Sequence, residues 1–227
     1  MPARRVAYVL TQDRGGPVDV AVALAVRLDA IPGYHVRLFG PTPSRGADSV
    51  AHLLEETRVE GKGAASSIAA ARRRIMRWRP DVIHAQDRRS GLICARLGAW
   101  RAPSGRRPSL VHTYHGVPDD VTQEWLDSAA ADPPSRYTRT VLAADSLVAR
   151  AVDRTVVVAP MLRRFLVERL RVPPGRVVHI DNGLALPASS PPAGPVRNLL
   201  FVGLLVERKG VDLLLAALAE AARSGPS

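Results

Sequence analysis

The sequence has one cysteine in 227 residues, two lysines, and aromatic side chains at only 4%. The single Cys94 excludes a disulfide framework and a zinc site built on cysteines. Three Phe, three Trp and four Tyr, scattered along the chain, provide no platform on which bases would stack. No apolar run approaches the ~18 residues of a membrane span. Arg4 and Arg5 precede an apolar run, Val6 to Leu10, that is shorter than the ~7–15-residue core of a secretion signal. The expectation is a soluble cytoplasmic protein. Lys62 and Lys209 are the only lysines among 32 basic residues, and the formal net charge is +11. Such a charge invites anionic partners: nucleic acid, a phospholipid surface or a phosphorylated substrate. Arginine in place of lysine in an alanine-rich chain looks like codon bias, so nucleic acid is not favoured.

What is present is ordinary for a globular chain: 46% apolar and 23% charged residues. The length allows one domain, or one domain with part of a second. Near-continuous apolar runs at 5–11, 34–39, 81–85, 109–115, 154–159 and 176–180 read as strands covered on both faces. Stretches 18–28, 66–78, 90–97, 135–151 and 161–170 read as helices between them. Strand–helix alternation of this kind predicts an α/β fold, a doubly wound parallel sheet of Rossmann-like type. The segment 187–195 (PASSPPAGP) has the composition of a linker. Beyond it, 198–203 (NLLFVG) reads as a fresh strand and 211–222 as a helix. One strand and one helix cannot bury their own apolar faces, so they read as the first β-α unit of an incomplete second domain.

Gly15 and Gly16 follow a strand and precede a helix, where bare backbone can approach an anion; a plain tight turn explains them equally well. Asp87 ends the run DVIHAQD at the carboxyl end of a strand, the side where open α/β sheets bind ligands. It is equally suited to cap the next helix. His115 in HTYHG closes a strand before a glycine, placed to donate to a developing charge or to orient a sugar hydroxyl. His112 lies one period deeper and reads as structural. Asn182 in DNG carries a strong turn signal. Lys209 beside Gly210 at a helix start is suited to phosphate, with Arg208 adjacent, although the pattern is not a P-loop.

In this order, GGP, RPDVIHAQD, LVHTYHG, VDRTVVVAPMLRRFL, VVHIDNG and FVGLLVERKGVDLLLAAL resemble family-four glycosyltransferases of the GT-B fold. The resemblance implies residues 1–186 as an acceptor-binding domain, 187–196 as a linker, and 197–227 as the truncated start of a nucleotide-sugar domain. It implies retaining transfer from a nucleotide-diphosphate sugar to a glycan, lipid or small-molecule acceptor, with no metal or other cofactor. By position, Gly15, Gly16, Lys209 and Arg208 match the donor-phosphate site and His115 the catalytic histidine. Asp87 and Asn182 are acceptor-side candidates. Leu204 stands where the family commonly has arginine, Ala159-Pro160 replace a serine, and Ala185 replaces an aspartate. The resemblance puts most of the donor pocket beyond Ser227, so this chain is expected to be weakly active or inactive by itself. The alternatives are a non-catalytic remnant that binds an anionic ligand or partner, and a sugar-nucleotide epimerase of the same architecture.

The helix from Ser66 to Trp78 has Ile68, Ala71, Ile75 and Trp78 on one face and Arg72, Arg73, Arg74 and Arg77 on the rest. That pattern suits peripheral contact with an anionic membrane at its inner face, or an ordinary sheet-covering helix with a solvated side.

Overall fold

The computed structural model describes residues 3–59, 65–95, 97, 107–121, 125–126, 133–183, 198–203, 205 and 209–224. The chain divides into two compact units, Met1–Pro118 with Pro134–Asn182, and Asp119–Pro133 with Gly183–Ser227.

The first unit is one parallel sheet. Its strands are β1 (Arg4–Val9), β2 (Tyr34–Gly40), β3 (Leu54–Glu56), β4 (Val82–Ala85), β5 (Ser109–Tyr114), β6 (Arg154–Val157) and β7 (Val177–His179). They lie in the order β3-β2-β1-β4-β5-β6-β7, and every pairing is parallel. The helices between them are α1 (Gly16–Asp29), α2 (Ala47–Val50), α3 (Ala65–Arg77), α4 (Arg88–Ala95), α5 (Arg136–Ala151) and α6 (Pro160–Arg164).

Strand side chains alternate between two cores, because successive residues of a strand point to opposite faces. Val6, Tyr8 and Leu10 pack with Val36, Leu38 and the α1 residues Val18, Ala21, Val22 and Ala25. Ala7 and Val9 pack instead with Phe39, Ile83, Leu110, Ile75 of α3 and Val148 of α5. Both faces of the sheet are therefore covered, which is why its strands read as continuous apolar runs. The strand order reverses between β1 and β4. The chain winds outward from β1 to β3, returns to β4 beside β1, and then winds the other way.

Four features depart from the sequence reading, the short α2, which has no counterpart in it, being one. The edge strand β3 has no counterpart in it: Leu-Glu-Glu carries no strand signal, and it is extended because it pairs with Leu38–Gly40 of β2. Its Glu55 also meets Arg37 of β2 at 3.1 Å. The strand expected at 198–203 does not form, since those residues are irregular and pair with no described neighbour. A single strand without a ladder partner leaves its backbone groups to solvent. The helix expected at 161–170 is α-helical only to Arg164 and continues as a π-turn over Phe165–Arg169. In that turn the Leu170 N–H reaches back to the Phe165 carbonyl.

In the second unit, α7 (Val211–Ser224) begins after Gly210, whose carbonyl accepts from the Leu214 N–H. Leu213 and Leu215 on it are 71% and 61% exposed.

Candidate functional site

The loops after β1, β4 and β5 meet where the strand order reverses. They enclose a pocket of about 180 Å³ lined by Gln12, Pro17, Gln86–Arg88 and His112–Val117. Open α/β sheets bind ligands at this position, because the loops on either side of the reversal diverge and leave a crevice.

Gly15 opens α1 with φ 100, a backbone conformation that side chains disfavour, and its carbonyl accepts from Val18 and Asp19. Gly16 is the first helical residue, and a Cβ on it would meet nothing within 4 Å. Pro17, which has no N–H, comes from the same turn and lines the pocket.

Asp87 is buried at the start of α4. One of its oxygens accepts from the Ser90 N–H at 2.8 Å and the Thr11 hydroxyl at 2.7 Å. The other accepts from the Thr11 N–H at 2.6 Å. Ser90 reciprocates by accepting from the Asp87 N–H at 3.0 Å. This is a helix cap that also ties the β1 loop to the β4 loop, and it occupies both carboxylate oxygens. Asp87 thus borders the pocket with its side chain committed to structure, the second of the two readings its sequence position allowed.

His115 lines the pocket. Its Nε2 lies 3.2 Å from Gln86 Oε1. The Gln86 amide nitrogen lies 3.3 Å from His84 Nε2, which is also 2.8 Å from the Thr113 hydroxyl. Burial lowers the His115 pKa, against a smaller opposing pull from Asp87. Burial, with His115 nearby, pushes His84 down to about 4. His112, fully enclosed beneath the pocket, is pushed down to about 3, first by burial and then by the other two histidines. Gly91 of α4 makes that enclosure possible. A Cβ there would lie 3.0 Å from the His112 ring and from Val148.

Arg88 forms the remaining wall. Its guanidinium grips Asp145 of α5 bidentately, at 2.6 and 3.0 Å, with the carboxylate only 1% exposed. Sequence reasoning missed Arg88, Asp145 and the role of Gln86. The signal for Asp145 was available: it shares the buried stripe of α5 with Leu142, Val148 and Ala149. A carboxylate on an apolar stripe implies a cation facing it.

The other candidates marked by the sequence fall elsewhere. Asn182 is exposed beyond β7 and does not line the pocket. Lys209 is exposed immediately before Gly210 and α7, in the second unit. Arg208, Leu204, Ala185 and the linker 187–196 lie outside the described residues. In α3 the apolar stripe is spent on the sheet: Ala71, Ile75 and Met76 are buried, and Trp78 packs on Phe39. Arg72 and Arg74 are tied to backbone carbonyls of Ile93 and Glu56, while Arg73 and Arg77 are exposed. No helix among the described residues is long and apolar enough to cross a membrane. Among the same residues, no group of three His, Cys, Asp or Glu side chains is placed to hold a metal.

Among the described residues, the pocket lining therefore comprises the His112 and His115 imidazoles, the Gln12 and Gln86 amides and the Thr113 and Tyr114 hydroxyls, with the Arg88 cation matched by Asp145 and the Asp87 carboxylate capping α4. Such a lining hydrogen-bonds hydroxyl groups rather than capturing free charge.

The family model described as Glycosyltransferase Family 4 matches residues 14–186. Glycogen synthase of Rhodospirillum rubrum is 44% identical over 43 residues, which are 19% of this chain and 8% of that one. Among solved structures, Anabaena HepE in complex with UDP-glucose superposes with a TM-score of 0.56 at 15% identity, over 79% of this chain and 44% of that one. A glycosyltransferase from Rickettsia africae gives 0.53 at 14% identity, over 80% and 44%. The chain thus spans less than half the length of these solved structures.

Proposed function

The chain belongs to glycosyltransferase family 4, and from that premise we propose that it supplies the acceptor-binding half of a retaining GT-B enzyme. The observation that carries the reading is the pocket at the strand reversal, whose lining includes the Gln12 and Gln86 amides, Thr113 and His115. In this reading residues 1–186 hold the acceptor, 187–196 link, and 197–227 begin the domain that grips a nucleotide-diphosphate sugar. Similarity to HepE, solved with UDP-glucose, supports a nucleotide sugar as the donor. Gly15 and Gly16, at the start of α1, are proposed phosphate contacts of the first unit, and Lys209, before α7, is a proposed phosphate contact of the second, each taken by itself. As the glycosidic bond breaks, the leaving diphosphate gathers negative charge, which helix N-termini and a fixed cation stabilise without a metal.

A second reading is a non-catalytic domain that binds a partner. The exposed leucines of α7 favour it, since apolar surface of this kind is normally covered.

The test is a pair of measurements on this chain. In the first, glycan, lipid and small-molecule acceptors are titrated while the amide resonances of Gln12, His115 and Gly116 are followed. Selective shifts at the pocket are expected, and acceptors that leave all three unmoved would overturn the acceptor role. In the second, UDP-glucose, ADP-glucose and GDP-mannose are offered with each bound acceptor. The expectation is slow transfer with retained anomeric configuration, insensitive to EDTA and abolished by His115→Ala. An inverted product or a requirement for metal would overturn the mechanism. Binding of an acceptor with no transfer from any donor favours the second reading.

A further inference from the structure

Thr113, His84, Gln86 and His115 form a continuous hydrogen-bonded row across the ends of β4 and β5. The amide at its centre cannot treat the two imidazoles alike. Its nitrogen only donates and its oxygen only accepts. The nitrogen faces His84 Nε2, so that atom carries a lone pair and the His84 proton is on Nδ1. The oxygen faces His115 Nε2, so that atom carries the proton and the lone pair of His115 is on Nδ1. Thr113 donates to the same His84 Nε2 at 2.8 Å, so its O–H and the Gln86 N–H share that one lone pair.

We propose that Gln86 is a positioning residue that locks His84 and His115 into opposite tautomers, so that His115 meets a substrate hydroxyl only as a hydrogen-bond acceptor, through Nδ1. The inference rests on the acceptor-pocket reading for its substrate class, a hydroxyl-bearing sugar or acceptor. It decides between the two roles the sequence allowed for His115: a ring with its only proton turned to Gln86 orients a hydroxyl and has none to give a developing anion. The surroundings fit a neutral row. Burial holds both rings uncharged at pH 7, and the Asp87 carboxylate already accepts from Thr11 and Ser90. The cation on the pocket wall, Arg88, is matched by Asp145. His112 below is held neutral as well.

The test reads ring nitrogens directly and needs no substrate, so its outcome is separate from that of the transfer assay. Long-range ¹H–¹⁵N correlation spectra of the chain at pH 7.5 are expected to show His115 protonated at Nε2 and His84 at Nδ1. Gln86→Glu replaces the amide by a group that accepts on both sides. In that variant both histidines are expected to carry their proton on Nε2, and the pKa of each rises. Gln86→Leu is expected to release His115 into a mixture of tautomers. Thr113→Val removes only the hydroxyl and leaves the His115 tautomer unchanged. Wild-type protein with the same tautomer on both rings, or with His115 protonated at Nδ1, overturns the proposal. So does Gln86→Glu protein that keeps His84 protonated at Nδ1. The wild-type spectrum decides the matter even where a variant fails to fold.

Discussion

His112 shows how one buried side chain couples this fold to pH. Its folded pKa is held at about 3, against 6.5 when exposed. Because the folded value is depressed, the unfolded chain binds the extra proton first. Stability is complete above about pH 6.5 and is lost as the pH falls toward 3. His84, held at about 4, acts in the same direction. Each pH unit within that window removes roughly 1 kcal/mol per histidine. His112→Leu is therefore expected to flatten the dependence, so that urea midpoints at pH 7.5 and 5.5 differ less than in wild type. An unchanged difference would show that His112 does not carry this linkage. His112 and His115 both line the pocket, but His112 is buried and His115, farther along the chain, is nearer solvent. Sequence distinguished the two by depth alone and had no means to find Gln86 between His84 and His115.

At the scale of elements, an ion pair and a close approach at a glycine join α4 to α5. Asp145 is buried on α5 and Arg88 is at the start of α4. Breaking a buried pair leaves one charge without its partner, an effect of ~3–5 kcal/mol. Arg88 is 38% exposed and can turn to water, which moderates the loss. Asp145→Asn is expected to destabilise the chain by roughly 2 kcal/mol and to broaden the Arg88 and Tyr114 resonances beside the pocket. A variant with unaltered urea midpoint would reduce the pair to a surface contact. Strands and helices with strong internal patterns are legible in the sequence, β1, β2, α1 and α5 among them. Those formed by their neighbours are not. β3 has no propensity of its own and exists through β2, and the segment 198–203 has propensity but no described neighbour. Propensity and pairing are separate requirements, and only the first is written locally.

For the whole molecule, the two units differ in what they bury. The first encloses two cores on either side of its sheet. The second presents Leu213, Leu214, Leu215 and Leu218 of α7 at 71%, 37%, 61% and 40% exposure. Local stability follows buried apolar contact, so amide exchange in α7 is expected to be orders of magnitude faster than in β1, β4 and β5. Strong protection of α7 in a monomeric sample would contradict this. Self-association is the other expected expression of the same surface, and Leu213→Glu with Leu215→Glu should reduce it in sedimentation.

The α/β class, the covering of both sheet faces and the family follow from residue order alone, because apolar periodicity and motif order survive without knowledge of contacts. Residue order also marks His115, Gly15 and Gly16 through their positions at strand ends and turns. It takes the folded chain to make β1 and β4 neighbours, which creates the reversal and its crevice. The same step spends the carboxylate of Asp87 on a cap, buries the apolar face of α3, and brings Arg88 to Asp145 across 57 residues. One cause underlies all of these. A residue's type sets which bonds it can form, but which of them remains free for a ligand depends on neighbours that only folding supplies.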